Sequence, residues 1–544
     1  MEKTGPGRRS RRPGLDTTTK VERINTMREE YTMKSIRHLV LLVAAFVCAL
    51  AIGGAAAAQA ASYYVNGGGG SDSNAGTEAK PFNTIKKADS VAKSGDVIYL
   101  KGTFGHTYLS GSTGNGTSWN AGGYVTYKVW GDSWVDMNGG ENGIGFSGKK
   151  YIMVDGFYNG ERRIRVYNKN RGFLIESGSS NIKITGCVFN PSGKTSSTGT
   201  FVGVNSATYV WVYDNEINNS MSGTYLECIY LGTTETMNAA DHVYIHDNIF
   251  NVRNPTSMGH DYQAIDIKCV PAATDIRIYR NTFISTSSLG VGLIQISGSA
   301  YFYDNYIDMS GASDRAGYLF YVWDGSSNKA ANFYAYRNKV VGAKTGILYT
   351  IGGMTWSNLK VHLYNNIFEK CQGYITKLEG VIGAADFYHN TFYNCTTNGN
   401  SGDKTMTFRY KNNLFTNWGT YALGDTSSQS STWNGNVYAK SGASATSTAF
   451  QWNGGATNFN SLRSSAGQES NGQFGVSASV DSQGLLTAAL PVGVNVSSDM
   501  SSWPDYNLDF NSKTRSGTWD AGASQNGGGT TVTLQPPTNL RVVQ

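Results

Sequence analysis

Of 544 residues only six are cysteine and ten are proline, and 15% are charged. Cys48 lies in the N-terminal leader, and the other five, Cys187, Cys228, Cys269, Cys371 and Cys395, include no CxxC and no cysteine–histidine cluster of zinc spacing. This excludes a zinc module and a dense disulfide scaffold. Ten prolines beside sixty-six glycines exclude collagen and a Pro-rich linker, and fit a chain with many tight corners. Residues 1–60 hold ten Lys/Arg and five Asp/Glu, and removing them from the totals of 45 and 39 leaves 35 and 34. The formal charge of +6 is therefore mostly leader. What remains lacks the basic stripe that a nucleic-acid partner requires. From about residue 200 to 440 helical periodicity is also missing, while β-branched and aromatic residues dominate, which excludes helical repeats there.

What is present is one recurring phrase: an aromatic or His, a polar residue, an Asn, any residue and an apolar one. It begins at Tyr213-Asp214-Asn215-Glu216-Ile217 and returns around Asn248, Asn281, Asn305, Asn338, Asn366 and Asn390, with weaker copies at Asn413 and Asn436. Successive asparagines are 23 to 33 residues apart. A floating period of this kind marks a solenoid whose longer turns carry surface loops. Before each Asn the residues alternate with the period of a strand. Val210/Val212, Val243/Ile245, Ile276/Ile278 and Val361/Leu363 face inward, and Trp211/Tyr213, Tyr244/His246, Arg277/Tyr279 and His362/Tyr364 face outward. After the Asn the parity breaks, so the chain turns a corner, and Asn is expected to take the left-handed conformation that a corner needs. Stacked at roughly 4.8 Å, these side chains should bond to one another in an asparagine ladder inside the coil.

Met33-Lys34-Ser35-Ile36-Arg37, the apolar run Leu39 to Ile52 and Ala58-Gln59-Ala60 read as a Sec-type signal peptide cleaved after Ala60, with Met33 an alternative start and a retained anchor the alternative fate. Ahead of the first strand, Phe82, Ile85, Ala88 and Ala92 have helical spacing, with Pro81 at a first helical position and Gly95 after the last. Such a helix covers the open end of a coil. Residues 525 to 537 read as linker, and Pro536 to Val543 looks like the opening of a fibronectin-type module.

The repeat resembles the right-handed parallel β-helix of the pectate-lyase-like superfamily, and Tyr64 to Phe104 resembles the opening segment of family nine pectate lyases. The expected fold is all-β, a single-stranded right-handed parallel β-helix with three sheets and a short N-terminal capping helix. Residues 1–60 are the leader, 61–525 the coil and 526–544 a linker and remnant. Arg515 to Ala523 resembles the closing strand of related proteins. The resemblance implies a secreted monomer with a polysaccharide as partner and no stable membrane insertion after signal cleavage.

Chemistry is expected on another short strand in each turn. Its outward parity aligns Tyr230, Asp266, Gln295 and Tyr321 in one row, with Lys268, Ser297 and Trp323 in the next and His260 and Asp261 just before. A lyase acting on an acidic polysaccharide needs a base for the proton α to a uronate carboxylate and a cation to hold that carboxylate. Lys268 is then the base, Arg280 the carboxylate clamp, Asp261 and Asp266 partial ligands of a possible Ca²⁺, and Tyr230, Gln295, Tyr321 and Trp323 contacts for the sugar. Asp266-Ile267-Lys268 resembles the Lys and Asp site of family nine pectate lyases, but without their dense Asp cluster. The competing reading is a solvent-facing ion pair worth less than about 1 kcal/mol. A hydrolase would need two opposed carboxylates, and Gly259-His260-Asp261 resembles a polygalacturonase motif only superficially. A non-catalytic carbohydrate-binding or cell-surface protein is the second function reading. The outward aromatic column suits sugar stacking or stacking on itself. Cys371 and Cys395 each follow a ladder Asn by five residues and should lie one above the other, as a disulfide or as two buried thiols.

Overall fold

The computed structural model describes residues 60–526, apart from 139–141, 168–170, 191–199, 220–224, 233–239, 253–260, 269–274, 287–291, 313–317, 323–330, 351–355, 379, 397–398, 403–405, 427–429 and 492–493. The signal peptide, the C-terminal remnant, His260, Cys269 and Trp323 lie outside the described residues. No helix among the described residues is long and apolar enough to cross a membrane.

One turn shows how the alternation becomes a coil. Strand Ala331–Tyr336 runs to Asn338, strand Lys339–Val341 leaves the corner, and strand Gly346–Thr350 makes the third side before Trp356–Tyr364 begins the next turn. Each side pairs in parallel with its successor, Phe333 beside Val361, Val340 beside Phe368 and Leu348 beside Thr376. The third sides form a 14-stranded sheet, and the two sides flanking the asparagines form a 27-stranded one. The fold is a right-handed parallel β-helix. Inward residues stack in files, such as Ile245, Ile278, Phe302, Ala335, Leu363 and Phe387, each essentially inaccessible to solvent. Burying a side chain of this size contributes about 1.5–3 kcal/mol. The files make one continuous core along the coil.

At the corner, the backbone N–H and side-chain nitrogen of each asparagine donate to Oδ1 of the next. From Asn215 to Asn248 both bonds are 3.0–3.1 Å, and the pattern continues through Asn281, Asn305, Asn338, Asn366, Asn390, Asn413 and Asn436. The side-chain nitrogens also reach carbonyls of the preceding turn, as Asn248 does to Val212 at 2.8 Å. The left-handed conformation, however, belongs to the residue before each asparagine: Asp214, Asp247, Arg280, Asp304, Arg337, Asn365, His389 and Asn412 all have φ between 52° and 57°. The asparagine is needed for its inward amide, and its neighbour makes the turn.

The capping helix spans Ile85–Val91 and starts later than Pro81. Thr84 is its N-cap, accepting from Lys87 N at 3.1 Å, and the Asp72 carboxylate takes both Thr84 N and Thr84 Oγ1. This side-chain cap satisfies helix donors that Pro81 could not. Ile85 and Ala88 enter the core. Asp89 is buried against Lys149 Nζ at 2.7 Å and Tyr127 OH at 2.8 Å, which ties the cap to the early turns. At the other end, helix Phe459–Ser464 buries Phe459 and Leu462. The chain then returns along the exterior, laying Val496, Met500 and Trp503 on Tyr336, Tyr364 and Tyr388. Arg515 to Ala523 forms no sheet strand within it. The buried Arg515 guanidinium is instead held by Asn365 Oδ1 at 2.9 Å and the carbonyls of Gly522 and Ala523 at 2.8 and 3.0 Å. Cys371 and Cys395 are buried, unbonded thiols.

Candidate functional site

Parallel pairing in the 14-stranded sheet sets residues of equal parity side by side. Strands Tyr225–Gly232, Asp261–Lys268, Ile294–Ile296 and Tyr318–Val322 thus place Tyr230, Asp266, Gln295 and Tyr321 in one row. The row continues through Tyr349 to Lys377. These last two were legible as the same parity of later strands, Tyr349 in Ile347-Leu348-Tyr349-Thr350, but they carry no motif.

Asp266 is fully buried and Lys268 is 7% exposed, so the pair is not a solvated surface contact. Lys268 Nζ lies 3.0 Å from Asp266 Oδ2 and 5.2 Å from the centre of the Tyr230 ring. Gln295 Nε2 donates to Asp266 Oδ1 at 2.8 Å, and Gln263 Nε2 donates to Gln295 Oε1 at 3.2 Å. Burial alone would lower the Lys268 ammonium, but Asp266, with Tyr230 and Glu227 adding to it, leaves its pKa raised. Lys268 is held as a cation in this arrangement, the reverse of what a resting general base needs. Gln263 Oε1 and Ser297 Oγ, both buried in this part of the sheet, have no hydrogen-bond partner among the described residues. They are polar atoms suited to a ligand's hydroxyls.

The structure does not bring Arg280 to this cluster. Arg280 is the left-handed corner residue after strand Ile276–Tyr279 of the other sheet, where Nε and Nη2 hold Asp247 at 2.9 and 2.6 Å. Partial burial would raise Asp247, but Arg280 and His246 bring it down to about 2. Asp261 opens strand Asp261–Lys268, and its side chain lies outside the described residues. Both oxygens of Asp266 already face Gln295 and Lys268, so the described side chains do not make the several-oxygen cage that Ca²⁺ takes. No group of three or more His, Cys, Asp or Glu suited to a metal occurs among the described residues.

The outward aromatic column stacks on itself. Ring centres lie 5.0 Å apart from Tyr213 to His246, 4.8 Å from His246 to Tyr279, 5.0 Å from Tyr279 to Tyr303 and 4.9 Å from Tyr303 to Tyr336. Its ring faces are occupied by one another.

The class that this fold defines is the right-handed parallel β-helix. No family model matches the chain, and no curated protein matches it. Among solved structures it is similar to the GH136 lacto-N-biosidase from Eubacterium ramulus, with 11% identity, 64% of each chain covered and a TM-score of 0.41. It is also similar to an alginate lyase from Paenibacillus sp. str. FPU-7, with 14% identity over 56% of this chain and 94% of that one and a TM-score of 0.38. A third is a mannuronic acid specific polysaccharide family 6 lyase from human gut microbiota, at 10% identity over 78% and 89% with a TM-score of 0.36. The chain spans 64% of the length of the lacto-N-biosidase. At these identities and TM-scores the likeness does not bear on which residues act.

Proposed function

We propose that the protein is exported and acts on an acidic, uronate-containing polysaccharide lying along the 14-stranded sheet, cleaving it by β-elimination. The observation that carries this reading is the buried Asp266–Lys268 pair, surrounded by Gln263, Gln295, Tyr230 and Tyr321 on a single face. In the elimination, a base from the protein or solvent takes the proton on the carbon α to the uronate carboxylate. That C–H electron pair becomes the new double bond as the glycosidic C–O bond breaks, and the departing oxygen takes up a proton from the same base or from water. Charge accumulates on the carboxylate meanwhile, so a fixed cation stabilises the transition state. Lys268, held charged by Asp266, fits that role, and it serves as the base only if its contact with Asp266 opens.

Lys268→Arg separates the two roles, since Arg keeps the charge and accepts no proton. Retained turnover with Lys268→Arg and loss with Lys268→Ala assigns the cation role, and loss in both assigns the base. A second reading, a non-catalytic glycan binder, is supported by the same protonated state of Lys268. It predicts polymer binding without product from any variant.

A further inference from the structure

We propose a second ligand site on the other sheet, formed where the returning C-terminal segment walls in a cavity of about 510 Å³, and we assign it a carboxylate-bearing sugar as ligand. The volume lies within the range of small-molecule sites. Its floor is the outward face of four successive strands, Ala331–Tyr336, Trp356–Tyr364, Val381–Tyr388 and Met406–Lys411. Parallel register lines up Tyr334, His362, Asp386 and Arg409 across that floor. Asp499 and Trp503 of the returning segment form the wall.

The central row is a built polar constellation. Asp386, 1% exposed, takes His362 Nδ1 at 2.9 Å and Arg409 Nη2 at 3.1 Å, and Arg409 Nε bonds its other oxygen. Burial would raise the Asp386 carboxyl, but the bonds from His362 and Arg409 hold it below its ordinary value. With Nδ1 of His362 bonded to Asp386, Nε2 is the ring's other polar atom and the one left to meet a hydroxyl. The ring itself is clamped between Tyr334, 4.8 Å away, and Trp503, 4.4 Å away.

The charges around this row do not cancel. Arg409 is matched by Asp386, and Lys411 by Asp499 at 2.6 Å. Lys360, exposed on the cavity's lining, has no acidic partner among the described residues. The cavity therefore presents one unmatched cation beside an imidazole nitrogen and aromatic side chains. Such a combination suits a sugar with a carboxylate, whose negative charge meets Lys360 and whose hydroxyls meet His362. The site lies on a different sheet from Lys268 and does not depend on the chemistry there.

Calorimetric titration of the full chain with galacturonate and glucuronate, and with galactose and glucose as neutral counterparts, tests this assignment. Uronates should bind and neutral sugars should not. Lys360→Ala should weaken uronate binding about tenfold or more, as expected for losing a charged contact. Ala384→Glu, which adds a negative charge to the floor, should abolish it. Circular dichroism verifies the fold of each variant. No uronate binding, equal binding of neutral sugars, or indifference to both Lys360→Ala and Ala384→Glu would each overturn the proposal.

Discussion

Glu469 takes the place of a tenth asparagine at the end of the Asn215–Asn436 column: Asn436 N donates to its Oε2 at 3.1 Å and Asn436 Nδ2 to its Oε1 at 2.6 Å. Tyr438 OH adds a third bond at 2.7 Å. Burial outweighs these donors and raises the Glu469 carboxyl from 4.5 to about 7. Between those two values the folded chain binds a proton that the unfolded chain does not, so stability is full below about pH 4.5 and is lost as pH rises through about 7. The loss is on the order of 3 kcal/mol.

Glu469→Gln should remove that slope. At acid pH the variant should be less stable by about 1–2 kcal/mol, because its amide nitrogen faces the Asn436 N–H. The gap should close towards alkaline pH, where only the parent has lost stability. Urea midpoints on either side of neutrality measure it, and parallel pH profiles would show that Glu469 does not titrate in this range.

Within the column, Asn305→Ala should cost about 2–4 kcal/mol, since it strands two donors of Asn281 and an acceptor contact at Ile278 O in a buried corner. Thermal unfolding measures this. A cost below about 1 kcal/mol would mean that water replaces the amide.

At the cap, Lys149→Met should cost about 3–5 kcal/mol, because it leaves Asp89 buried and unpaired. The double variant Asp89→Leu/Lys149→Met should cost less than the single one. Hydrogen exchange of helix Ile85–Val91 would report the loosening of the cap directly, and additive losses would contradict the pairing.

Cys371 and Cys395 should resist alkylation in the native protein, where burial pushes the Cys395 thiol well above its ordinary value. After denaturation both should react, equally with and without reductant. A thiol count that rises on reduction would show a disulfide instead.

Much of the fold was legible because its rules are local. Alternation before each Asn gives the buried files, and the break in parity gives the corner. Which residue adopts the left-handed conformation was not legible, since Asp, Arg and His stand before the asparagines at Asp214, Arg280 and His389 without the glycine that would mark a turn. Arg280 consequently looked like a clamp when it is a corner residue bound to Asp247. The row Tyr230–Asp266–Gln295–Tyr321 follows from the period of two, but the burial of Asp266 and the protonation of Lys268 depend on neighbours from other turns. Still less legible was the cavity over His362, which exists because a segment more than a hundred residues later, around Trp503, folds back across the sheet.

The central claim is tested most directly by ultraviolet absorbance of unsaturated uronate products when the purified protein meets pectic, alginate and glycosaminoglycan polymers, with and without Ca²⁺. We predict product from one polymer class and a loss of about a hundredfold or more in Lys268→Ala. No product from any polymer, or an undiminished rate in Lys268→Ala, would contradict a lyase built around the Asp266–Lys268 pair.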